Sequence, residues 1–221
     1  MSVQIVGPEN TRGDHSVVVL PHAGGSPGEY IRLFNKIDAV TGHIVRYPGR
    51  EGRGRPAESW QDLISSVVNA ALPENFWLFG HSMGARLAFD VAEALSSTRV
   101  KGVLMSAPPA PTQVSFDMSN IQSLGDRSLT KLGSRSRLAQ QAAAALQTDL
   151  ELLASAAPAP ACLDLPLTIL RPTDDPSAEH VVEWKQRSRR VDIREVQGGH
   201  FYFREDPTEL IALINEVIDN E

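Results

Sequence analysis

The sequence predicts an α/β fold, a mostly parallel central sheet with helices on both faces. Three observations point there. Short apolar runs alternate along the chain with stretches of helical period, so strands and helices take turns. The runs are apolar at successive positions, as in Val17-Val18-Val19-Leu20, which suits strands buried on both faces. Several of them end in turns rich in glycine or proline, at the strand ends where the functional loops of open α/β sheets gather.

Taken in order, Val17 to Leu20 is a strand that runs into Pro21-His22-Ala23-Gly24-Gly25-Ser26-Pro27-Gly28, too rich in glycine for regular structure. A helix over about 29–37 follows, with Tyr30, Leu33, Phe34 and Ile37 on one stripe. A strand over 43–47 is stopped by Pro48-Gly49, and Arg50 to Pro56 reads as a polar loop. Residues 60–72 form an amphipathic helix, with Leu63, Ile64, Val67, Val68, Ala71 and Leu72 inward. Phe76-Trp77-Leu78-Phe79 is a strand, and the helix after it, 83–95, repeats Leu87, Ala88, Val91, Ala92 and Leu95 at helical spacing. Val100 to Ala107 is a buried strand closed by Pro108-Pro109-Ala110-Pro111.

Residues from about 112 to 160 break the alternation. A polar stretch to 134 precedes an alanine- and leucine-rich helix over 135–157, which Pro158 and Pro160 end. This reads as a short helical lid insertion laid over the sheet. Pro166 to Leu170 resumes the strand pattern, a helix runs to about Arg189, and Val191 to Val196 is the last strand. The final helix starts at Asp206-Pro207, with Asp206 as N-cap and Glu209 as its capping-box partner.

A chain of 221 residues with 42% hydrophobic content can bury one sizeable core, so 1–221 reads as a single domain. The net charge of −6 argues against a nucleic-acid partner, whose phosphates need a basic face. No apolar run approaches the roughly 18 residues of a membrane span, and the N-terminal stretch lacks a secretory pattern. Cys162 is the single cysteine and cannot form an intramolecular disulfide, which suits the cytoplasm; without an activating neighbour it reads as a buried or incidental thiol. The Gly24-Gly25 loop lacks both the G-x-G-x-x-G spacing and a P-loop lysine, so no cofactor is expected.

The chemistry centres on Gly80-His81-Ser82-Met83-Gly84, between a predicted strand and a predicted helix. That context makes the pentapeptide a nucleophile elbow, whose sharp turn lifts the Ser82 hydroxyl clear of the sheet in a strained backbone conformation. A serine hydroxyl needs a base, and the base needs an orienting acid. His200 follows the last strand and two glycines, the position expected of the base. His15 and His43 fall at the wrong end of strands, His180 in a helical stretch, and His22 and His81 in turns around the site. The acid is Asp174 or Asp175; Asp175 is favoured because Pro176 restricts its backbone to extended conformations. Two N–H groups must face the developing oxyanion, those of Met83 at the helix start and of Ala23 in the loop after the first strand.

Four segments, Pro21-His-Ala-Gly-Gly-Ser26, Tyr47-Pro-Gly-Arg-Glu51, Gly80-His-Ser-Met-Gly-Ala85 and Gly198-Gly-His-Phe201, resemble in this order the type II thioesterases of polyketide and nonribosomal peptide synthases. The resemblance spans nearly the whole chain. It implies an α/β-hydrolase fold and a triad of Ser82, an aspartate and His200. It also implies hydrolysis of acyl thioesters from the phosphopantetheine arm of an acyl carrier or peptidyl carrier protein. The insertion is shorter than the family's usual lid, and Arg171-Pro172 stands where the family tends to carry glycines. Carrier proteins of such synthases are acidic around their pantetheine serine, so Arg50, Arg53 and Arg55 are candidates for docking one transiently, with the enzyme a monomer. The rival readings are a general carboxylesterase or small-molecule thioesterase with the same triad, and a catalytically silent carrier-binding module.

Overall fold

The structure, a computed structural model, describes residues 2–7, 13–50, 54–95, 99–112, 137–159 and 162–220. Among them, strands β1 (Gln4–Val6), β2 (His15–Leu20), β3 (Val40–Arg46), β4 (Phe76–His81), β5 (Val100–Ser106), β6 (Leu163–Pro172) and β7 (Ser188–Val196) form one sheet. Their order is β1-β3-β2-β4-β5-β6-β7, and every neighbouring pair is parallel except β1 against β3. This is the α/β-hydrolase architecture implied by the four segments.

Each apolar run serves two cores because successive strand side chains point to opposite faces. Val18, Leu20, Phe76 and Leu78 enter one cluster, with Leu63 and Val67 of helix α2 (Trp60–Val68), Leu87 and Val91 of α3 (Met83–Ala94), and Leu150 and Leu153 of α4 (Arg137–Ala154). Val17, Val19, Trp77 and Phe79 enter the other, with Tyr30 and Leu33 of α1 (Pro27–Phe34) and Leu210 and Ile214 of α5 (Thr208–Asp219).

The strand order also places the site. From β2 the chain steps to β3 on one side, then crosses back to β4 on the other, so the sheet's switch point lies between β2 and β4. Their carboxyl ends are in register, Leu20 against Gly80. The loop after β2 therefore opens beside the turn after β4. β5, β6 and β7 continue outward, bringing their own C-terminal loops to the same rim.

Several element boundaries differ from the sequence reading. β1 was not expected: it is three residues long and exists by pairing its backbone with the edge of β3. The helices α1 and α2 stop at Phe34 and Val68, short of the predicted ends. The stretch predicted as a helix after Pro176 is a 3-10 helix, Pro176–Gln186, in which buried Trp184 donates to Pro109 O at 2.9 Å. β6 is longer than expected at both ends, and Pro166, which has no N–H to pair, sits where its register with β7 shifts. The capping box is also corrected. Pro207 is the N-cap of α5, Asp206 accepts from Thr208 N at 2.9 Å, and Glu209 accepts instead from Gln197 N at 3.0 Å, tying α5 to the loop that carries His200. Cys162 is exposed, not buried.

Of the predicted insertion, α4 is described and 113–136 lie outside the described residues. Its stems are held by buried Arg86 of α3, which donates to Pro111 O at 3.4 Å and Ala157 O at 2.5 Å and pairs with Asp90 at 3.0 Å. No helix among the described residues is long and apolar enough to cross a membrane.

Candidate active site

Ser82 joins β4 to α3 with φ 55° and ψ −121°, a region that costs a non-glycine residue of order 1–3 kcal/mol. The surroundings impose it. Ser82 N–H donates to Ser106 O at 2.8 Å, while its carbonyl accepts from Ala85 N at 2.9 Å and Arg86 N at 3.3 Å. Glycines are required on both sides: a Cβ on Gly80 would lie 2.0 Å from Gly84 O, and one on Gly84 would lie 2.0 Å from Leu20 O. The neighbouring Ala107, just past β5, is strained too, with φ 46°.

His200 and Asp175 meet across the loops after β7 and β6: His200 Nδ1 and Asp175 Oδ2 are 2.6 Å apart, with both side chains largely buried. The two loops are stitched by backbone. Thr173 N donates to Val196 O and Asp174 N to Gly198 O, each at 2.9 Å, and Gly198 N donates to Thr173 Oγ1 at 3.2 Å. That stitching fixes the register, turning Asp175 inward and leaving Asp174 exposed. A carboxylate only accepts, so the imidazole proton shared with Asp175 sits on Nδ1, and Nε2 is the nitrogen left for a reacting group.

His200 stands over the elbow. Its ring centroid is 4.9 Å from that of His81, the residue before Ser82, and 4.9 Å from that of Phe201. Phe201 also meets His22 edge-on at 4.9 Å and His81 in a tilted arrangement at 5.3 Å, and the Arg204 guanidinium lies 3.7 Å over its face. Burial, followed by the positive charge of Arg204, drives the His22 pKa well down; burial, followed by His200, does the same to His81. Both are thus neutral near pH 7. Arg204 has no acceptor, so its 3.2 Å approach makes His22 Nε2 the acceptor and puts the proton on Nδ1, which donates to Tyr30 Oη at 2.7 Å. His81 Nδ1 bonds Ser106 Oγ at 3.0 Å, which in turn bonds Tyr202 Oη at 2.9 Å.

Most amides of the loop after β2 are committed within the protein. His22 N–H goes to Tyr30 Oη at 3.2 Å, Gly24 N–H to Asp149 Oδ2 at 2.7 Å, and Gly25 N–H to His22 O at 2.9 Å. Ala23 N–H takes no partner among the described residues, and the loop opens beside the elbow. Met83 opens α3, so its N–H is one of the amides that a helix cannot satisfy internally, at the positive end of the helix dipole.

The arginine segment separates into three cases. Arg50 is buried and forms an ion pair with Asp149 of α4, which corrects its assignment as a surface docking residue: its charge is already engaged inside the protein. Arg53 lies outside the described residues, and Arg55 is exposed. Asp149, Ser106 and Arg204 were not anticipated. Asp149 left one signal, an acid on the stripe Leu146, Asp149, Leu150, Leu153 that turns α4 toward the core. Burial raises its carboxyl above the ordinary value, while Arg50 and the Gly24 amide pull it back.

Residues 15–218 match the thioesterase domain family. The thioesterase PikA5 of Streptomyces venezuelae is 32% identical over an alignment that spans 90% of this chain and 79% of that protein. Among solved structures, RedJ, a thioesterase from the prodiginine biosynthetic pathway of Streptomyces coelicolor, superposes with a TM-score of 0.78 at 27% identity, covering 92% of this chain and 85% of RedJ. BorB, the type II thioesterase from the borrelidin biosynthetic cluster, gives 0.79 at 26% identity, with 97% and 96% covered.

Proposed function

We propose that this chain, which belongs to the thioesterase family and is a thioester hydrolase, removes acyl groups from the phosphopantetheine arms of carrier proteins, as the editing type II thioesterase of a polyketide or nonribosomal peptide pathway. The observation that carries the chemistry is the His200–Asp175 pair with His200 packed on His81, the residue before a strained serine at the sheet's switch point.

Ser82 Oγ attacks the thioester carbonyl carbon as His200 Nε2 takes its proton. Asp175 holds the ring in the tautomer that leaves Nε2 free to do so, and it stabilises the imidazolium that forms. The carbonyl oxygen becomes an oxyanion between the N–H groups of Ala23 and Met83. Collapse breaks the C–S bond, and the thiol leaves with the proton from His200. A thiol ionises near pH 8.5, so it is a better leaving group than an alcohol. Water, deprotonated by His200, then attacks the acyl-serine and releases the carboxylic acid.

The carrier part of the reading is supported by the relatives, whose names place them in biosynthetic clusters. Arg55, exposed in the loop after β3, remains a candidate for contacting an acidic carrier. The test is hydrolysis of one short acyl group presented on a phosphopantetheinylated carrier, followed by intact-protein mass spectrometry, and then on N-acetylcysteamine. Binding energy drawn from the carrier body should raise kcat/KM by about tenfold or more over the small thioester, and added salt should erode the difference. Equal rates on both, insensitive to salt, overturn the carrier assignment and leave a general thioesterase.

A further inference from the structure

We propose that Arg50 and Asp149 form a buried clasp that sets the oxyanion loop from outside, so that both are positioning residues for the Ala23 amide. The inference rests on the reading of Ala23 N–H as an oxyanion donor. The loop Pro21–Gly25 has no regular structure to stiffen it, yet an oxyanion donor must be held at a fixed distance and angle. Its anchors come from outside. On one side Tyr47 Oη donates to Pro21 O at 2.7 Å, and Tyr30 Oη receives the His22 amide at 3.2 Å. On the other side Asp149 Oδ2 takes the Gly24 amide at 2.7 Å and pairs with Arg50. The peptides before and after Ala23 are thus both tied down, which orients the amide between them. The fit is close, since a Cβ on Gly24 would stand 2.9 Å from Leu146 Cβ.

This assigns a job to the Tyr47-Pro48-Gly49-Arg50 segment. Tyr47 reaches the loop directly and Arg50 reaches it through Asp149, both from one turn, with the Arg50 guanidinium carbon 5.8 Å from the Tyr47 ring centroid. Charge adds a second requirement. An aspartate directly behind the oxyanion loop opposes the negative charge that develops on the substrate. The pairing with Arg50 cancels that field while leaving the carboxylate oxygen in place to hold Gly24 N–H. Arg50 matters for that reason beyond its packing: without it, a buried and uncompensated carboxylate faces the transition state.

The test is steady-state hydrolysis of a short-chain acyl N-acetylcysteamine thioester by Asp149→Asn, Arg50→Gln and the double variant, each shown folded by thermal melting above the assay temperature. Arg50→Gln should lower kcat by about 10- to 100-fold, less than the roughly 10²–10³ lost when an oxyanion donor is deleted, with KM within about twofold of wild type. Asp149→Asn keeps an acceptor for Gly24 N–H and should lose less. The double variant should recover to the level of Asp149→Asn, because the uncompensated charge has gone. An unchanged kcat in Arg50→Gln, a loss carried by KM, or a double variant no better than Arg50→Gln overturns the clasp. Ala23→Pro, which deletes the amide itself, separates the two layers. If its kcat is intact, the oxyanion reading and the clasp both fall; if it is crippled while Arg50→Gln is normal, the clasp alone falls.

Discussion

His200 Nδ1 lies 2.6 Å from Asp175 Oδ2, while the carboxylate one residue earlier, on Asp174, is exposed. The two aspartates differ by one position and by their whole environment. Asp174 serves through its backbone, donating to Gly198 O at 2.9 Å and so holding the two loops together. Asp175→Asn retains the shape but offers Nδ1 the wrong tautomer, and the expected loss in kcat is about 10⁴-fold. Asp174→Asn should stay within about threefold of wild type, since a surface side chain is changed and the amide is kept. Steady-state rates on one acyl thioester decide it; the reverse ranking would assign the acid to Asp174.

The strained serine supports a stability prediction. Ser82→Ala and Ser82→Gly both lose the nucleophile, but glycine accepts φ 55° without strain. Relief of about 1–3 kcal/mol outweighs the roughly 0.5–1 kcal/mol entropic cost of glycine and should leave Ser82→Gly up to about 2.5 kcal/mol more stable than Ser82→Ala. Urea titration of the two proteins measures this, and equal midpoints would mean that the elbow stores no strain.

Gly84→Ala should be severe. The added Cβ would lie 2.0 Å from Leu20 O and 2.5 Å from Pro21 O, both backbone atoms that cannot swing away. The cost should reach or exceed the upper end of the ~1–3 kcal/mol usual for overpacking. It should also push the Pro21–Gly25 loop, so a folded Gly84→Ala is expected to lose kcat as well. Melting and kinetics on the same sample check both, and a variant with wild-type values in each would contradict the close approach of α3 and the loop.

These positions show how unevenly the molecule is written in its sequence. The elbow is legible because a strand cannot turn into a helix at such close range without glycine at both ends, and Gly80 and Gly84 stand there. The alternation of strands and helices is legible because each apolar run must feed two cores. The partner of His200 is legible to within one residue, since the choice between Asp174 and Asp175 depends on hydrogen bonds to a loop far along the chain. The Arg50–Asp149 pair is not legible: its members are 99 residues apart, and an arginine in a polar loop looks the same whether it faces solvent or a buried carboxylate. The 3-10 helix Pro176–Gln186 was hidden for a related reason, because local propensity does not reveal the tertiary bond between Trp184 and Pro109.

Stability should fall on acidification through the buried histidines. His22 and His81 are held neutral, with pKa values well below the ordinary 6.5. As pH drops below about 6.5 the unfolded chain binds protons that the folded one refuses, so each histidine contributes up to about 1.4 kcal/mol of lost stability per pH unit. The loss continues until the depressed folded-state value is reached. His81→Gln removes one of the two groups, and its melting temperature should fall less steeply than that of wild type between pH 7 and 5. Parallel slopes would show that His81 accepts its proton in the fold.

The nucleophile itself admits the most direct measurement. Wild-type protein treated with a fluorophosphonate should take up one equivalent, with activity falling in proportion to labelling. Peptide mapping should place the adduct on Ser82, and His200→Ala should label far more slowly because the serine has lost its base. Hydrolysis that persists after Ser82 is fully modified, or an adduct that maps to another residue, would contradict the account of this site as a serine-dependent thioesterase.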